Sequence, residues 1–272
     1  MADKTAEEIP VVPYTQLGKN RVDLSSLLPL PAPLSLFVEP TNVCNFRCQF
    51  CPESFVDYES QAGGRRTMSL EDFRKVCADI KALGRLKVLR FYMLGEPLLH
   101  RELEEFIRHA KDQDVAERIE VTSNGSALTP ERSRKLVEAG LDYLRISIYA
   151  STEERHHDVT GSVVGLARLV ANVSAFREIR DSMGSRKPYL FVKMIDAMDA
   201  AENARFFELF GSIADEIGLE PRTNWTGFEG RDLTLLAHLS DQEKLKLLPY
   251  PVKAVCPYPF YVLVVHADLD VS

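Results

Sequence analysis

The feature that most constrains the fold is a regular alternation of short apolar runs with amphipathic segments of helical length. In residues 69–84 the apolar positions follow the 3.6-residue helical period. Ser69 is placed to cap the first turn of this helix, and Gly84 follows its last turn. Strands that alternate with helices of this length predict βαβ units and a parallel sheet. The predicted strands are residues 34–39, 86–94, 118–123, 143–149, 189–195 and a weaker one near 219–225. The predicted helices are residues 69–84, 101–113, 129–140, 163–181 and 200–217.

Several predicted strands carry polar or charged residues at every second position, whereas a parallel sheet covered by helices is normally apolar on both faces. On the fourth strand, Arg145, Ser147 and Tyr149 alternate with three apolar residues. Because a buried charge without a partner costs several kcal/mol, this second face must meet water, other charges or a polar ligand. An open barrel with a polar lumen meets that requirement better than a doubly wound open sheet does.

We therefore predict an α/β fold, a partial (β/α)6 TIM-like barrel with parallel strands, over residues 34–230. Residues 1–33 hold five of the fifteen prolines and are predicted to form an extended arm. Residues 231–272 are predicted to form a linker followed by a short β-hairpin extension.

The charge balance and the cysteine count narrow the function. The chain has 33 basic and 40 acidic residues, a net charge of −7, which argues against nucleic-acid or anionic-membrane binding. The N-terminal sequence MADKTAEEIP has no apolar run of the kind found in signal peptides, and no 18 apolar residues are consecutive. Five cysteines, three of them clustered, indicate metal binding or catalysis and not a disulfide framework. A cytoplasmic location is expected.

The cysteine cluster follows the first predicted strand, at the end where (β/α) barrels build their active sites. Cys44, Cys48 and Cys51 share one face of a hypothetical helix, but the polar residues between them and the flanking prolines argue against a packed helix. A zinc site would need a fourth ligand, from Cys77, Cys256 or a histidine. Cys77 lies on the apolar face of its helix and is interpreted as a packing residue, and Cys256 is distant in sequence. An iron–sulfur cube held by three thiolates would leave one iron open to another ligand.

These residues resemble the radical S-adenosylmethionine (SAM) superfamily, over about residues 34–225. The resemblance is carried by C-x3-C-x2-C with Phe50 before the last cysteine, and by LGEPLL (94–99), which is similar to the GGE-type segment of the family but has Leu94 in place of the first glycine. SNG (123–125) and RISI (145–148) also stand at strand ends where the family pattern expects them.

The resemblance implies a [4Fe–4S] cluster held by Cys44, Cys48 and Cys51, with SAM chelating the open iron through its amino and carboxylate groups. One-electron reduction would cleave SAM to a 5′-deoxyadenosyl radical, which abstracts hydrogen from the substrate. The implied cofactor-binding residues lie on the cysteine loop and at strand ends: Phe50, Gly95, Glu96, Asn124, Arg145, Ser147 and Lys193.

The implied roles differ between these residues. Glu96 would accept a hydrogen bond from the SAM ammonium group, with a solvated loop carboxylate as the alternative. Asn124 and Ser147 would contact the ribose or the SAM carboxylate, with a satisfied polar core position as the alternative for each. Phe50 would pack near the adenine, or else only anchor its loop. Arg145, Lys193 and Tyr149 would contact a carboxylate of SAM or substrate, with internal salt bridges as the alternative for the two cations. The pair His156-His157 is interpreted as surface residues and QAGGRR (61–66) as a flexible loop. No catalytic residue is assigned.

The C-terminal stretch 255–272 resembles the start of the auxiliary-cluster extension of the SPASM or twitch type. Cys256 is its only cysteine, and Leu269 stands where the family has a turn glycine. An auxiliary iron–sulfur cluster would need a chain that continues beyond Ser272. Cys256 as a ligand and Cys256 as a packing residue are left as equal alternatives.

The expected function is hydrogen abstraction from a small-molecule or carbohydrate substrate, of the dehydrogenation or epimerisation type. The 33-residue arm is too short for a leader-binding domain, which disfavours the alternative of a peptide-modifying maturase. A structural zinc or iron–sulfur protein is the second alternative. The expected partners are the substrate and a one-electron donor such as flavodoxin or ferredoxin, with no nucleic acid and no membrane.

Overall fold

The computed structural model describes residues 26–220 and 258–272. Most of the predicted arm, the linker with Cys256, and the part of the sixth predicted strand beyond residue 220 lie outside the described residues. In the described part the strands are β1 (Ser35–Val38), β2 (Leu86–Phe91), β3 (Ala116–Ser123), β4 (Tyr143–Ile148), β5 (Tyr189–Ile195), β6 (Glu216–Glu220) and β7 (Val262–Val265). The α-helices are α1 (Tyr58–Gln61), α2 (Leu70–Leu83), α3 (Leu103–Asp112), α4 (Pro130–Glu138), α5 (Glu153–Thr160), α6 (Leu166–Ser182) and α7 (Ala200–Phe210).

The described strands form one parallel sheet in the order β6-β5-β4-β3-β2-β1-β7. From β1 to β6 each strand lies beside its neighbour in sequence, and the order does not reverse as it does in a doubly wound sheet. The prediction of an α/β fold with a partial TIM-like barrel of parallel strands is therefore confirmed.

Several element boundaries differ from the prediction. The segment before the fourth crossover helix forms a separate helix, α5, which Thr152 caps and which ends at Gly161 in the left-handed region (φ 57°). The last crossover helix, predicted to reach residue 217, ends at Phe210, and β6 begins at Glu216 instead of near residue 219. Periodicity did not separate these elements because both the end of the helix and the strand are apolar.

The C-terminal segment extends the sheet. Strand β7 pairs in parallel with β1, and the chain then returns through a tight turn to an antiparallel bridge between Val265 and Val271. The predicted short hairpin is thus present, with Val264 and Ser272 exchanging backbone hydrogen bonds at 2.8 and 3.0 Å, and its first strand covers the β1 edge of the barrel. Leu269 in the turn has φ 73°, the left-handed conformation that glycine adopts most readily.

The two faces of the sheet differ as the alternation predicts. Leu144, Ile146 and Ile148 of β4 are at most 1% exposed and belong to the core between sheet and helices. On the inner face the charges have partners: Arg90 Nε donates to Glu120 Oε2 at 2.8 Å, and Arg118 lies 2.5 Å from the other carboxylate oxygen. Ion pairing within the lumen therefore stabilises charges that would otherwise be costly to bury.

Among the described residues, no helix combines the length and the apolar character needed to cross a membrane.

The carboxylate of Asp142, directly before β4, should make the stability of the fold depend on pH. Its Oδ2 accepts from Ile119 N at 2.9 Å and its Oδ1 from Lys187 Nζ at 2.8 Å, and Lys111 also donates to it. Burial alone would raise the pKa of Asp142, but these donors outweigh burial and hold the pKa below its usual value. The stabilisation is thus present above about pH 4, the usual pKa, and is lost as the pH falls through the lower pKa of the folded state.

We expect Asp142→Asn to lower the free energy of unfolding by about 2 kcal/mol at pH 7, since hydrogen bonds to a charged group are lost. The difference from the wild type should shrink when urea unfolding is repeated below about pH 4. Glu117→Gln, which removes an exposed carboxylate paired with Lys87, is the control and should change the free energy of unfolding much less, because water screens exposed ion pairs. A difference for Asp142→Asn that is constant with pH would contradict this account.

Candidate functional site

The three clustered cysteines lie on a loop, residues 40–53, that leaves the C-terminal end of β1; we refer to it as the cysteine loop. Backbone and side-chain contacts attach it to four other segments, at the ends of β2 and β3, at the end of α5, and in residues 63–67. A loop held in this way has its side chains positioned before any ligand binds, which favours a precise binding site.

The attachment at the end of β2 depends on Gly95. A Cβ atom at this position would stand 1.9 Å from the Thr41 carbonyl oxygen, so only glycine fits. Next to it, Glu96 N donates to Val43 O at 2.9 Å, and Leu94 N donates to the buried Glu39 carboxylate at 3.1 Å. The Gly-Glu segment that the sequence singled out is therefore packed directly against the start of the cysteine loop.

The attachment at the end of β3 runs through Asn45. Its Nδ2 donates to Ser126 Oγ at 2.8 Å, and its Oδ1 accepts from Asn124 Nδ2 at 3.0 Å. Asn124 Oδ1 in turn accepts from Ser126 Oγ at 2.6 Å. The described contacts of the Asn124 side chain thus hold the cysteine loop, and its predicted contact with SAM stays a prediction.

Helix α5 holds the middle of the loop. Arg47 N donates to Thr160 O at 2.8 Å and Gln49 N to Val159 O at 2.9 Å, both at the C-terminal end of α5. These carbonyls lack partners within the helix, so the loop satisfies them. Between these contacts, the buried Phe46 ring packs edge-on against His156, with 5.8 Å between ring centroids.

The interpretation of the histidine pair as surface residues is wrong for His156. This side chain is 1% exposed, and its Nε2 lies 3.0 Å from the Val164 carbonyl oxygen. Burial lowers the pKa of His156, so the ring is neutral and packs under the cysteine loop. The partner of His157 Nδ1 is the Ser162 carbonyl oxygen at 3.0 Å.

The segment QAGGRR, predicted to be a flexible loop, is fixed to the cysteine loop. Asn42 Nδ2 donates to Gly64 O at 2.9 Å, and Arg66 N donates to Asn42 Oδ1 at 2.7 Å. The amide of Asn42 therefore pairs with the backbone of this segment through both its donor and its acceptor.

The thiols are sheltered from water. Cys48 is 7% exposed, and Cys44 and Cys51 are half-buried. Burial raises the pKa of Cys44 to about 12 and that of Cys51 to about 11, and it raises the pKa of Cys48 as well. The Phe46 N–H, 3.4 Å from Cys44 Sγ, acts in the opposite direction by stabilising the thiolate. Without a metal the thiols are protonated at neutral pH, so metal binding here must displace their protons.

The donor set fits an iron–sulfur cube. Within residues 26–220 and 258–272, no three His, Cys, Asp or Glu side chains are grouped so as to share one metal ion. A cube takes one thiolate on each of three irons, so its ligands surround a volume and do not meet at one atom. Three thiols on one fixed loop are the donors that a cube with one open iron requires.

The buried carboxylate of Glu96 accepts hydrogen bonds from both strand ends that meet at the site. Its carboxylate accepts from Leu98 N at 2.9 Å, Ser123 Oγ at 2.7 Å and Asn124 N at 2.7 Å, and the residue is 3% exposed. Burial raises the pKa of Glu96, and these three donors counter that effect. In the structure the carboxylate joins the end of β2 to the end of β3. Its predicted hydrogen bond with the SAM ammonium group stays a prediction.

Phe50 and Tyr149 meet beside the thiols, with 4.9 Å between ring centroids. Burial raises the pKa of Tyr149 well above its ordinary value, and the neighbouring Cys48 acts in the same direction. Ser147, 4% exposed, lies on the same inner face of β4 and interacts with the Tyr149 hydroxyl. The structure thus brings these three predicted residues together at the cysteine end of the lumen.

The two predicted cations lie at different depths of the inner face. Lys193 is opposite Ser147 in the sheet register and forms an ion pair with Glu220, while burial lowers its pKa. Arg145 is two residues deeper along β4, with its guanidinium 5.7 Å from the Phe191 ring centroid. For Lys193 the internal salt bridge considered as an alternative is present in the structure.

Several residues that hold the loop were not predicted from the sequence: Asn45, Val159 and Thr160, and also Arg65, whose guanidinium donates to Glu53 Oε2 at 2.6 Å. Their sequence signal is weak because each acts on a segment distant in the chain. By contrast, Cys77 is 3% exposed on α2, in agreement with its interpretation as a packing residue.

The sequence matches the family described as the radical SAM superfamily over residues 38–187. A probable GTP 3′,8-cyclase of Metallosphaera sedula is 34% identical over 185 residues, which cover 68% of this chain and 53% of that protein. The tungsten-containing aldehyde ferredoxin oxidoreductase cofactor-modifying protein of Pyrococcus furiosus is 27% identical over 165 residues, covering 59% of this chain and 43% of the relative. The chain thus spans about half the length of these curated relatives.

Solved structures share the fold. Streptococcus suis SuiB aligns with a TM-score of 0.62 at 12% identity, covering 89% of this chain and 60% of SuiB. The anSMEcpe structure with bound AdoMet and a Cp18Cys peptide aligns with a TM-score of 0.53 at 15% identity, covering 70% and 51% of the two chains.

Proposed function

We propose that this chain, which belongs to the radical SAM superfamily, abstracts hydrogen from a small-molecule or carbohydrate substrate. The cofactors of this superfamily are a [4Fe–4S] cluster and SAM, and they supply the radical chemistry when bound. The observation that carries the proposal is the loop with three sheltered thiols, fixed at the C-terminal end of the barrel strands where chemistry is built.

In this proposal Cys44, Cys48 and Cys51 hold the cluster. Phe50 and Tyr149 provide an apolar wall beside it and exclude water, which protects a reactive species from side reactions. Ser147 presents a hydroxyl at the same end of the lumen.

A polar small substrate is supported by the inner wall. Lys193, the neighbour of Ser147 in the sheet register, forms an ion pair with Glu220. This pair offers a hydrogen-bond donor and an acceptor to the hydroxyl or carboxylate groups of a substrate. The name GTP 3′,8-cyclase, borne by relatives, favours the small-molecule class, although it denotes a different reaction from the dehydrogenation or epimerisation expected from the sequence.

The partner proposed for the reaction is a one-electron donor of the flavodoxin or ferredoxin type. We propose that this chain acts in the cytoplasm, because a reducing compartment keeps its thiols available for the cluster.

The test is anaerobic reconstitution of the full chain followed by analysis of iron, sulfide and zinc. We expect about four irons and four sulfides per chain, and 5′-deoxyadenosine after addition of SAM and a strong reductant. Bound zinc with no cube and no 5′-deoxyadenosine would refute the proposal.

The substrate class is tested separately. Deuterated sugars, other deuterated polar metabolites and deuterated peptides are each supplied with SAM, and deuterium in the 5′-deoxyadenosine is measured by mass spectrometry. Transfer from a small molecule supports the proposal. Transfer only from peptides would replace it with the peptide-modifying alternative.

A further inference from the structure

A single guanidinium nitrogen joins the two ends of the cysteine loop. Arg65 Nη1 donates to the Asn42 carbonyl oxygen at 2.9 Å and to Glu53 Oε2 at 2.6 Å. Asn42 is two residues before the first clustered cysteine, and Glu53 is two residues after the last. Arg65 therefore bridges the points at which the chain enters and leaves the cysteine cluster.

The carboxylate in this bridge is deeply buried. The Glu53 side chain is 1% exposed, whereas that of Arg65 is 26% exposed. A second guanidinium, that of Arg47, lies 3.7 Å from the same oxygen, Oε2. The other oxygen, Oε1, is buried and has no hydrogen-bond partner within the described part of the chain. An arrangement that leaves a buried carboxylate oxygen unbonded costs stability, and such costs are found where function requires them.

We propose that Arg65 and Glu53 are positioning residues for the iron–sulfur cluster: their ion pair closes the cysteine loop and balances charge beside the thiolates. The inference rests on the proposed function only in assigning the cluster to Cys44, Cys48 and Cys51. Neither residue belongs to the C-x3-C-x2-C pattern.

Glu53 places negative charge beside the cysteine ligands. The Glu53 carboxylate is close enough to act electrostatically on Cys44 and Cys51. Three thiolates add negative charge to the same loop when they bind a cluster. If the Arg65 cation is removed, the buried carboxylate loses its shortest ion pair and repels both the thiolates and an added electron.

The experiment compares Arg65→Met, Glu53→Gln and the double variant with the wild type after reconstitution. The control is Arg66→Met, which removes the same charge from the neighbouring residue, whose guanidinium contact is the exposed Gly63 carbonyl at 3.1 Å. Iron release to a chelator and the midpoint potential from electron paramagnetic resonance titration are measured, together with the Tm of each apo protein.

For Arg65→Met we expect iron release roughly tenfold faster than in the wild type, as for loss of a hydrogen bond to a charged group, and a lower midpoint potential. Arg66→Met should match the wild type in both. The double variant should release iron more slowly than Arg65→Met, because it no longer contains the unpaired carboxylate.

The outcomes are distinguishable. If Arg65→Met and Arg66→Met release iron equally fast and have the same potential, the inference is refuted while the proposed function stands. If the apo Tm falls for Arg65→Met but release and potential of the loaded fraction match the wild type, the bridge is only structural and the inference is again refuted. If the wild type takes up no iron, the proposed function fails and the inference fails with it.

Discussion

Cys48→Ala is expected to abolish both cluster uptake and 5′-deoxyadenosine formation. Cys48 is the most buried of the three clustered thiols, at 7% exposure, and it is the middle residue of the motif. Removing it leaves two thiols, and a cube that is held by two thiolates has lost one of the three bonds that the loop supplies. The measurement is iron and sulfide per chain after anaerobic reconstitution, followed by the SAM cleavage assay.

The chain contains its own control in Cys77. This cysteine is also free and buried, at 3% exposure, but it packs in the core on α2. Cys77→Ala should retain wild-type iron content and SAM cleavage, with only a modest loss of stability as expected for a small core truncation. Equal loss of iron in both variants would show that global destabilisation, and not ligand removal, explains the effect of Cys48→Ala.

Gly95→Ala is expected to have the second largest effect. Its new Cβ would stand 1.9 Å from the Thr41 carbonyl oxygen and 2.7 Å from the carbonyl carbon. Both atoms belong to backbone, so no side-chain rotation relieves the clash, and the start of the cysteine loop must move. Movement there also disturbs the hydrogen bond from Glu96 N to Val43 O. We expect iron uptake near background in the reconstitution assay, even where the variant remains folded by circular dichroism.

Gly184→Ala serves as the matched substitution. Gly184 has φ 70° and no atom within 4 Å of its would-be Cβ, so alanine there brings backbone strain but no clash. It should lose about 1 kcal/mol of stability and load iron as the wild type does. Normal iron uptake by Gly95→Ala would refute the close contact between Gly95 and the cysteine loop.

The sequence predictions were accurate where the interactions that define an element lie close together in the chain, and they failed where those interactions are distant in sequence. Helix α2 was predicted with its cap at Ser69 and its end at Gly84, and the structure agrees, because both signals lie within a few residues of the ends they define. Helix α5 was not predicted as a separate element. Its apolar face is short, and its end is used by a loop more than a hundred residues earlier in the chain.

The candidate site shows the same division. The spacing of the cysteines, their place after β1 and the Gly-Glu segment after β2 were evident from the sequence, since residue type and order carry that chemistry. The bonds of Glu96 were not evident, because two of its three donors, Ser123 Oγ and Asn124 N, reach it only where the ends of β2 and β3 meet. For Asn124 the sequence left open a contact with SAM and a satisfied polar position. Its described contacts are with Asn45 and Ser126, and the contact with SAM stays a prediction.

The sequence by itself determined the βα alternation, the polar inner face and the set of three thiols, because periodicity and side-chain chemistry are properties of short segments. Only the tertiary structure decided how the cysteine loop is held. Its supports come from Asn45 and Ser126, 81 residues apart, and from Arg65, which joins Asn42 to Glu53 across one guanidinium. Such contacts form when the sheet brings together strand ends that are far apart in the sequence. No local sequence pattern shows which of these residues will meet.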